Sequence, residues 1–293
     1  MCYIVTLVAD RSATSLLPST IARVRDAVGG GTLAVLSASE AVDIPVAEAP
    51  DMSAVHTALE GTFVDAIATP TEGRRKALLV ADMDSTIVTG ETLDELADFA
   101  GLKDRIAAIT ARAMNGELDF KAALRERVAM LQGLPLDALE RTWQRVRLTP
   151  GARELVATMR AHGAYAALVS GGFSFFTSRV AALCGFDLHR SNTLLDDGAA
   201  LLGRVGEPIL DRDTKLATLN GLAGERGLKL SATLAVGDGA NDLDMLGAAG
   251  LGVAYRAKPI VAATARARVD HADLRALLFA QGYRAQEIVA QWP

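Results

Sequence analysis

Three runs of consecutive apolar residues stand out beyond residue 76: ALLVA at 77–81, YAALV at 165–169 and TLAV at 233–236. Continuous apolar runs of this length predict strands buried on both faces of a parallel sheet. Helical patterns separate them, and that alternation predicts a doubly wound, Rossmann-like α/β core. Between the first two runs, ETLDELADFAGL, FKAALRERVAMLQG and LDALERTWQRVRL are amphipathic, with apolar residues at helical spacing such as Leu124, Val128 and Leu131. A helical stretch this long exceeds an ordinary crossover and predicts a cap over the sheet edge.

The first 70 residues read differently. CYIVTLV predicts a strand, TIARVRDAV a helix through Ile21, Val24 and Val28, and GGGTLAVLS a turn and strand. A short helix near SAVHTALEG and a strand at FVDAIAT follow. Gly29, Gly30 and Gly31 lack the lysine and hydroxyl ending of a phosphate loop and predict a helix-end turn or hairpin. Pro70, Gly73 and the basic residues of TPTEGRRK predict a linker. The expected organisation is a small α/β domain over 1–72, then a second domain over 76–293. The second has its core at 76–89 and 149–293 and its helical cap at about 90–148.

Composition narrows the partners. The 293 residues, half of them apolar and 22% charged, suit a globular chain rather than a disordered one. No apolar stretch approaches the roughly 18 residues of a membrane helix, and no basic segment precedes the short apolar run at the start. Cys2 and Cys184 are too few for a disulfide framework or a zinc knuckle. A net charge of −5 supplies no attraction to nucleic acid. A soluble, cytoplasmic protein with neither nucleic-acid nor membrane partner is the expectation.

The chemistry lies where the apolar runs end. The first run leads into Asp82-Met83-Asp84-Ser85-Thr86, the second into Ser170-Gly171-Gly172-Phe173, the third into Gly237-Asp238-Gly239-Ala240-Asn241-Asp242. Parallel strands end at one sheet edge, where open α/β folds bind ligands, so three distant segments converge. Asp82, Asp84, Asp238 and Asp242 crowd negative charge there, which calls for a counter-cation. Oxygen donors without His or Cys point to Mg²⁺. Residues two apart in an extended segment face the same way, so Asp82 and Asp84 are expected to address one ligand. The SGGF turn offers backbone N–H groups and a hydroxyl to an anion, and Lys215 adds a positive charge. Together these describe phosphoryl transfer, with one carboxylate as nucleophile and another as acid and base. The histidines stand alone, and Cys184, in AALCGF, reads as a buried apolar residue.

DMDST, SGGF, the lysine of DTK and GDGANDLDML resemble the four signature segments of the haloacid dehalogenase superfamily of aspartyl-phosphate phosphatases. The cap and spacing are similar to those of its phosphoserine phosphatases, over roughly residues 77–270. The resemblance implies Mg²⁺-dependent hydrolysis of the small molecule L-phosphoserine to L-serine and phosphate, the last step of serine biosynthesis. It implies Asp82 as nucleophile, Asp84 as general acid and base, and Asp82, Asp84 (through its backbone carbonyl) and Asp238 as metal ligands. Ser170, Gly171, Gly172 and Lys215 match phosphate-binding positions, Asn241 a polar residue near the phosphate, and Asp242 a support for the lysine or the metal shell. In the cap, Glu91 falls where a glutamate meets the substrate ammonium and Arg127 where an arginine pairs with its carboxylate. Met114 and Phe120 resemble apolar lid residues. An acid and a base set apart suit a substrate that carries both charges besides phosphate, and arginine's fork suits a carboxylate. The N-terminal pattern resembles small βαββαβ (ACT-like) regulatory modules, which implies ligand regulation or a homodimer through that domain. Phosphohomoserine or another small phosphate as substrate, and a non-catalytic binding protein on the same fold, are the alternative readings.

Overall fold

The computed structural model describes residues 2–114 and 117–290, Met114 by its backbone alone. Strands β1 (Tyr3–Ala9), β2 (Ala34–Ser37), β3 (Ala41–Val46) and β4 (Val64–Pro70) form an antiparallel sheet in the order β2-β3-β1-β4. Helices α1 (Pro18–Ala27) and α2 (Met52–Leu59) cover one of its faces. Side chains alternate along a strand, and both faces are used: Val5 and Leu7 pack under the helices, while Val8 and Ile67 face the C-terminal core. Gly29 at φ +58 closes α1, with the amides of Gly29 and Gly30 reaching back to Asp26 O and Arg25 O, so the triple glycine is a helix stop.

The larger sheet has the order β12-β11-β10-β5-β6-β7, every pair parallel. It comprises β5 (Leu78–Ala81), β6 (Tyr165–Phe173), β7 (Leu188–Asn192), β10 (Thr233–Gly237), β11 (Leu251–Tyr255) and β12 (Ala267–Val269). All three apolar runs are its central strands, and their residues are buried on both faces. The strand order reverses at β5, between β6 on one side and β10 on the other, which opens a crevice at their C-terminal ends. Between β5 and β6 stand α3 (Thr92–Asp98), α4 (Lys103–Met114), α5 (Phe120–Ala129) and α6 (Asp137–Trp143), then α7 (Ala152–Ala161). The first four form the cap, with Leu124, Val128 and Leu131 turned into the core. Two crossings of the chain tie cap to sheet, Thr89 N donating to Arg147 O and Thr149 N to Ile87 O. Helices α8 (Ser174–Cys184) and α9 (Arg212–Glu225) flank the core, and a hairpin of β8 (Leu194–Asp196) and β9 (Leu201–Val205) lies beside α5.

The structure differs from the sequence pattern at several places. β3 has no mark of its own in the apolar pattern, which Asp43 and Pro45 interrupt, and was implied only by the βαββαβ resemblance; Asp43 is buried where Thr6 and Arg74 bond to it. TPTEGRRK is a packed junction rather than a loose linker. Arg74 donates to Asp43 at 2.7 Å and to the carbonyls of Phe279 and Ala280. The buried Lys76 donates to Gly73 O and Ser231 O. A second tie comes from Asp65 on β4, whose carboxylate accepts the amides of Asp270, His271 and Ala272.

Candidate active site

Val236 of β10 lies beside Ala81 of β5, so Asp82 and Asp238, the residues just past those positions, are neighbours at one sheet edge. Asp242 folds back from the turn Ala240–Asp242, and Lys215 projects from the first turn of α9, which Asp211 and Thr214 cap reciprocally. Lys215 Nζ lies 2.7 Å from Asp82 Oδ1 and 2.6 Å from Asp242 Oδ1, with its side chain 2% exposed. An ammonium this deep is tolerated only when paired. Against the cost of burial, Asp242 and Asp82 hold Lys215 above its usual pKa. Gly237 is required here, since a Cβ would run into the Asp242 carboxylate.

Asp84 takes a different direction. Ser85 adopts a left-handed φ of +55° just after it, and the chain turns. Asp84 Oδ1 accepts the amide of Thr92 at 2.8 Å, and Oδ2 accepts from Ser170 Oγ at 3.4 Å. Asp82 and Asp84 line the same cavity, but their carboxylates belong to different sets. The group whose oxygens lie within 4.8 Å of one another is Asp82, Asp238 and Asp242. The Asp84 carboxylate lies outside this side-chain group, bonded instead to the Thr92 amide beyond the turn at Ser85, which agrees with the expectation that Asp84 offers a metal only its backbone carbonyl; Asp242, expected as a support, is the third carboxylate of the group.

Crowding and burial govern these carboxylates. Burial first, then the nearby Glu91, pushes Asp84 up to about 7. Burial, with Asp242 and Glu91 adding to it, pushes Asp238 up to about 8. Asp82 is raised well above the usual range by burial, which outweighs the pull of Lys215. Among the described residues Asp238 Oδ2 is buried without a hydrogen-bond partner, with Lys258 Nζ 3.7 Å away. Three clustered carboxylates, one of them carrying a buried oxygen without a hydrogen-bond partner, fit a hard divalent cation.

The Ser-Gly-Gly segment continues β6 as far as Phe173, where it was expected to be a turn; its register with β7 shifts between Val169 and Phe173. Asn192 holds this stretch, Nδ2 donating to Gly171 O at 2.8 Å and Oδ1 accepting from Leu210 N at 2.7 Å. Sequence reasoning missed Asn192, and its one signal is a polar residue ending a strand. Ser170 Oγ accepts the Gly172 amide at 2.8 Å. A Cβ on Gly172 would sit 2.7 Å from Asp84 Oδ2, and one on Gly171 would sit 2.7 Å from Phe120 Cζ. Both glycines therefore let other groups approach the backbone.

The cap closes the cavity. Phe120 opens α5 above Gly171. Glu91, just before α3, accepts from Ser85 Oγ at 2.6 Å. Arg127, 4% exposed, lines the same cavity, as does Asn241, whose Oδ1 is buried without a partner among the described residues. The Met114 side chain lies outside the described residues. The space left amounts to about 30 Å³, room for a water or two.

A parallel sheet with an acidic cluster at its switch point, a buried lysine and a helical cap defines a haloacid dehalogenase-like hydrolase. The model of that family matches residues 79–247, and the chain belongs to it. The phosphoserine phosphatase of Streptococcus thermophilus is 46% identical over 199 residues, covering 68% of this chain and 93% of the relative. That of Streptomyces coelicolor is 41% identical over 237 residues, 81% of this chain but 58% of the relative's length. A solved phosphoserine phosphatase, a phospho-aspartyl intermediate analogue, aligns with TM-score 0.67 and 38% identity over 70% of this chain and 98% of its own. Within the family, the chain falls among the phosphoserine phosphatases. Among the described residues no helix is long and apolar enough to cross a membrane.

Proposed function

We propose that the chain hydrolyses L-phosphoserine to L-serine and phosphate, with Asp82 as nucleophile and Asp84 as general acid and base. The observation that carries this reading is a single small cavity lined by Asp82, Asp84 and Ser170 and also by Glu91 and Arg127 from the cap. A phosphorylated amino acid needs groups for phosphate, ammonium and carboxylate at once, and the cavity supplies all three.

Asp82 attacks phosphorus and the bond to the serine oxygen breaks, while Asp84 gives that oxygen its proton. A carboxyl raised to about 7 holds a proton to give near neutral pH. Water then attacks the aspartyl phosphate, Asp84 takes its proton, and phosphate leaves with Asp82 regenerated. Lys215, Ser170 Oγ and the amides of Gly171 and Gly172 offset the charge on the phosphoryl oxygens. Asp82, Asp238 and the backbone carbonyl of Asp84, with Asp242 beside them, would hold Mg²⁺, which would supply Lewis-acid stabilisation of that charge. Glu91 takes the ammonium, Arg127 the carboxylate, and Phe120 excludes water from the closed site.

For residues 1–72 the reading is a domain that pairs two chains. β2 is the free edge of its sheet, and Val35 and Leu17 stand 63% and 54% exposed. Light scattering should return twice the chain mass, and Val35→Lys should halve it; a monomeric wild type removes this reading.

Phosphate release is the test of the activity, from phosphoserine, phosphothreonine, phosphohomoserine and glucose 6-phosphate, with Mg²⁺ and with EDTA. Mg²⁺-dependent turnover favouring phosphoserine, abolished in Asp82→Asn with the fold intact, is the expected result. Preference for another phosphate discards the substrate assignment, and an active Asp82→Asn discards the nucleophile.

A further inference from the structure

Arg127 is buried in the cap, and among the described residues it forms no ion pair. Its Nε donates to Ala123 O at 3.2 Å within its own helix, and its Nη1 donates to Thr110 Oγ1 at 2.9 Å. The same Thr110 oxygen lies 2.8 Å from Asp94 Oδ1 and 3.0 Å from Ile106 O. A hydroxyl has one proton to give, and the carboxylate is the stronger acceptor. Arg127 of α5, Thr110 of α4 and Asp94 of α3 thus form a chain across three cap helices, with a neutral hydroxyl in the middle.

The alternative arrangement explains the significance of that hydroxyl. Arginine and aspartate that can reach each other normally pair through two parallel hydrogen bonds. A guanidinium so engaged would be neutralised before any substrate arrived. Here Asp94, Glu91 and Asp84 all act on Arg127 through space, but Nη1 donates to the Thr110 oxygen, which in turn bonds to Asp94. The rest of the guanidinium fork is left for the cavity, which Arg127 lines together with Ser170 and Gly171.

We propose that Thr110 is a positioning residue for substrate selection: its hydroxyl orients Arg127 toward the cavity and keeps it from closing onto Asp94. The proposal rests on the reading of Arg127 as the group that binds the substrate carboxylate. Thr110→Val keeps the shape of the side chain and deletes the hydroxyl, and Thr110→Ala deletes it without a branched replacement. Thr110→Ser keeps it.

The readout is the ratio of KM for phosphoserine to KM for p-nitrophenyl phosphate, which has no carboxylate for Arg127 to hold. Both substrates meet the same folded molecules, so a variant that is partly unfolded loses kcat for both and keeps its KM ratio. Loss of one hydrogen bond to a charged group predicts a rise in the ratio of about tenfold in Thr110→Val and Thr110→Ala. Thr110→Ser should remain within about twofold of wild type, a rescue that packing alone does not produce. Arg127→Lys is measured alongside. If Arg127→Lys raises the ratio and neither hydroxyl deletion does, or if Thr110→Ser raises it as much as Thr110→Val, the role of Thr110 is overturned and that of Arg127 stands. If Arg127→Lys leaves the ratio unchanged, the carboxylate-binding reading fails, and the proposal for Thr110 fails with it.

Discussion

Raising the pH from 5 to 7 should destabilise the metal-free protein, and the site chemistry gives the magnitude. Asp84 and Asp238 hold their protons up to about 7 and about 8 in the folded chain, whereas an unfolded aspartate releases its proton near about 3.9. Between those values the folded state binds more protons than the unfolded one, so stability falls as pH rises. It is fully present below about 3.9, is lost progressively between there and each folded-state value, and falls no further on that group's account once its value is passed. Each group contributes a slope of about 1.4 kcal/mol per pH unit while it is still protonated. Allowing for the fading contribution of Asp84 near neutrality, the drop from pH 5 to pH 7 comes to about 5 kcal/mol, a large part of an ordinary domain's stability. Urea unfolding in EDTA at half-unit pH steps measures it directly. Asp238→Asn removes one titrating carboxyl and should flatten the curve by about 1.4 kcal/mol per unit. Mg²⁺ should reverse the trend, because it binds the deprotonated cluster and its contribution grows with pH. Metal-free stability that stays level or rises from pH 5 to 7, or an unchanged slope in Asp238→Asn, would refute the reasoning.

Gly171→Ala should raise KM for phosphoserine about tenfold or more, because its Cβ would sit 2.7 Å from Phe120 Cζ and block cap closure; adding Phe120→Ala should recover part of the loss. Arg74→Met should cost about 3 kcal/mol in a urea melt, since it strands the buried Asp43 that Arg74 now grips. Asp43→Asn in the same chain should return part of that cost. Titration with a thiol reagent at pH 8 should modify one cysteine in the native protein and two in denaturant. Cys2 is exposed, whereas burial pushes the Cys184 thiol up to about 12.

How much of this was legible beforehand depended on whether a residue's surroundings were local. The central strands and the cap helices were readable because burial on both faces, or on one helical stripe, leaves its mark within a few consecutive residues. β7 reads LHRSN and is exposed at two positions, and β12 has three residues, so neither carries such a mark. The convergence of Asp82, Asp238 and Asp242 followed from parallel topology, since strand ends meet whatever loops join them, whereas Lys215, on helix α9, was placed by its resemblance to a family motif. The separation of the Asp84 carboxylate from that cluster did not, because it depends on one left-handed residue, Ser85, that pattern cannot foresee. Asn192 and Thr110 were invisible for a related reason. Each acts on a group from another element, through a bond spanning 21 or 17 residues.

The junction between the two sheets has a bearing on how the chain acquires its structure. Asp65, Thr69 and Arg74 bond to residues 270–280, more than 200 positions away. Val8, Leu36, Ala41 and Ile67 belong to the same apolar cluster as Leu277 and Phe279. Pairings of such sequence separation are slow to form, because a long loop must close before any contact rewards it. During synthesis the N-terminal sheet emerges early with one greasy face uncovered, and its cover is made some two hundred residues later. A truncation that removes residues 270–283 therefore leaves Asp82 and Asp84 in place and injures the opposite end of the chain. Its first symptom should be a sticky N-terminal half that chaperones retain.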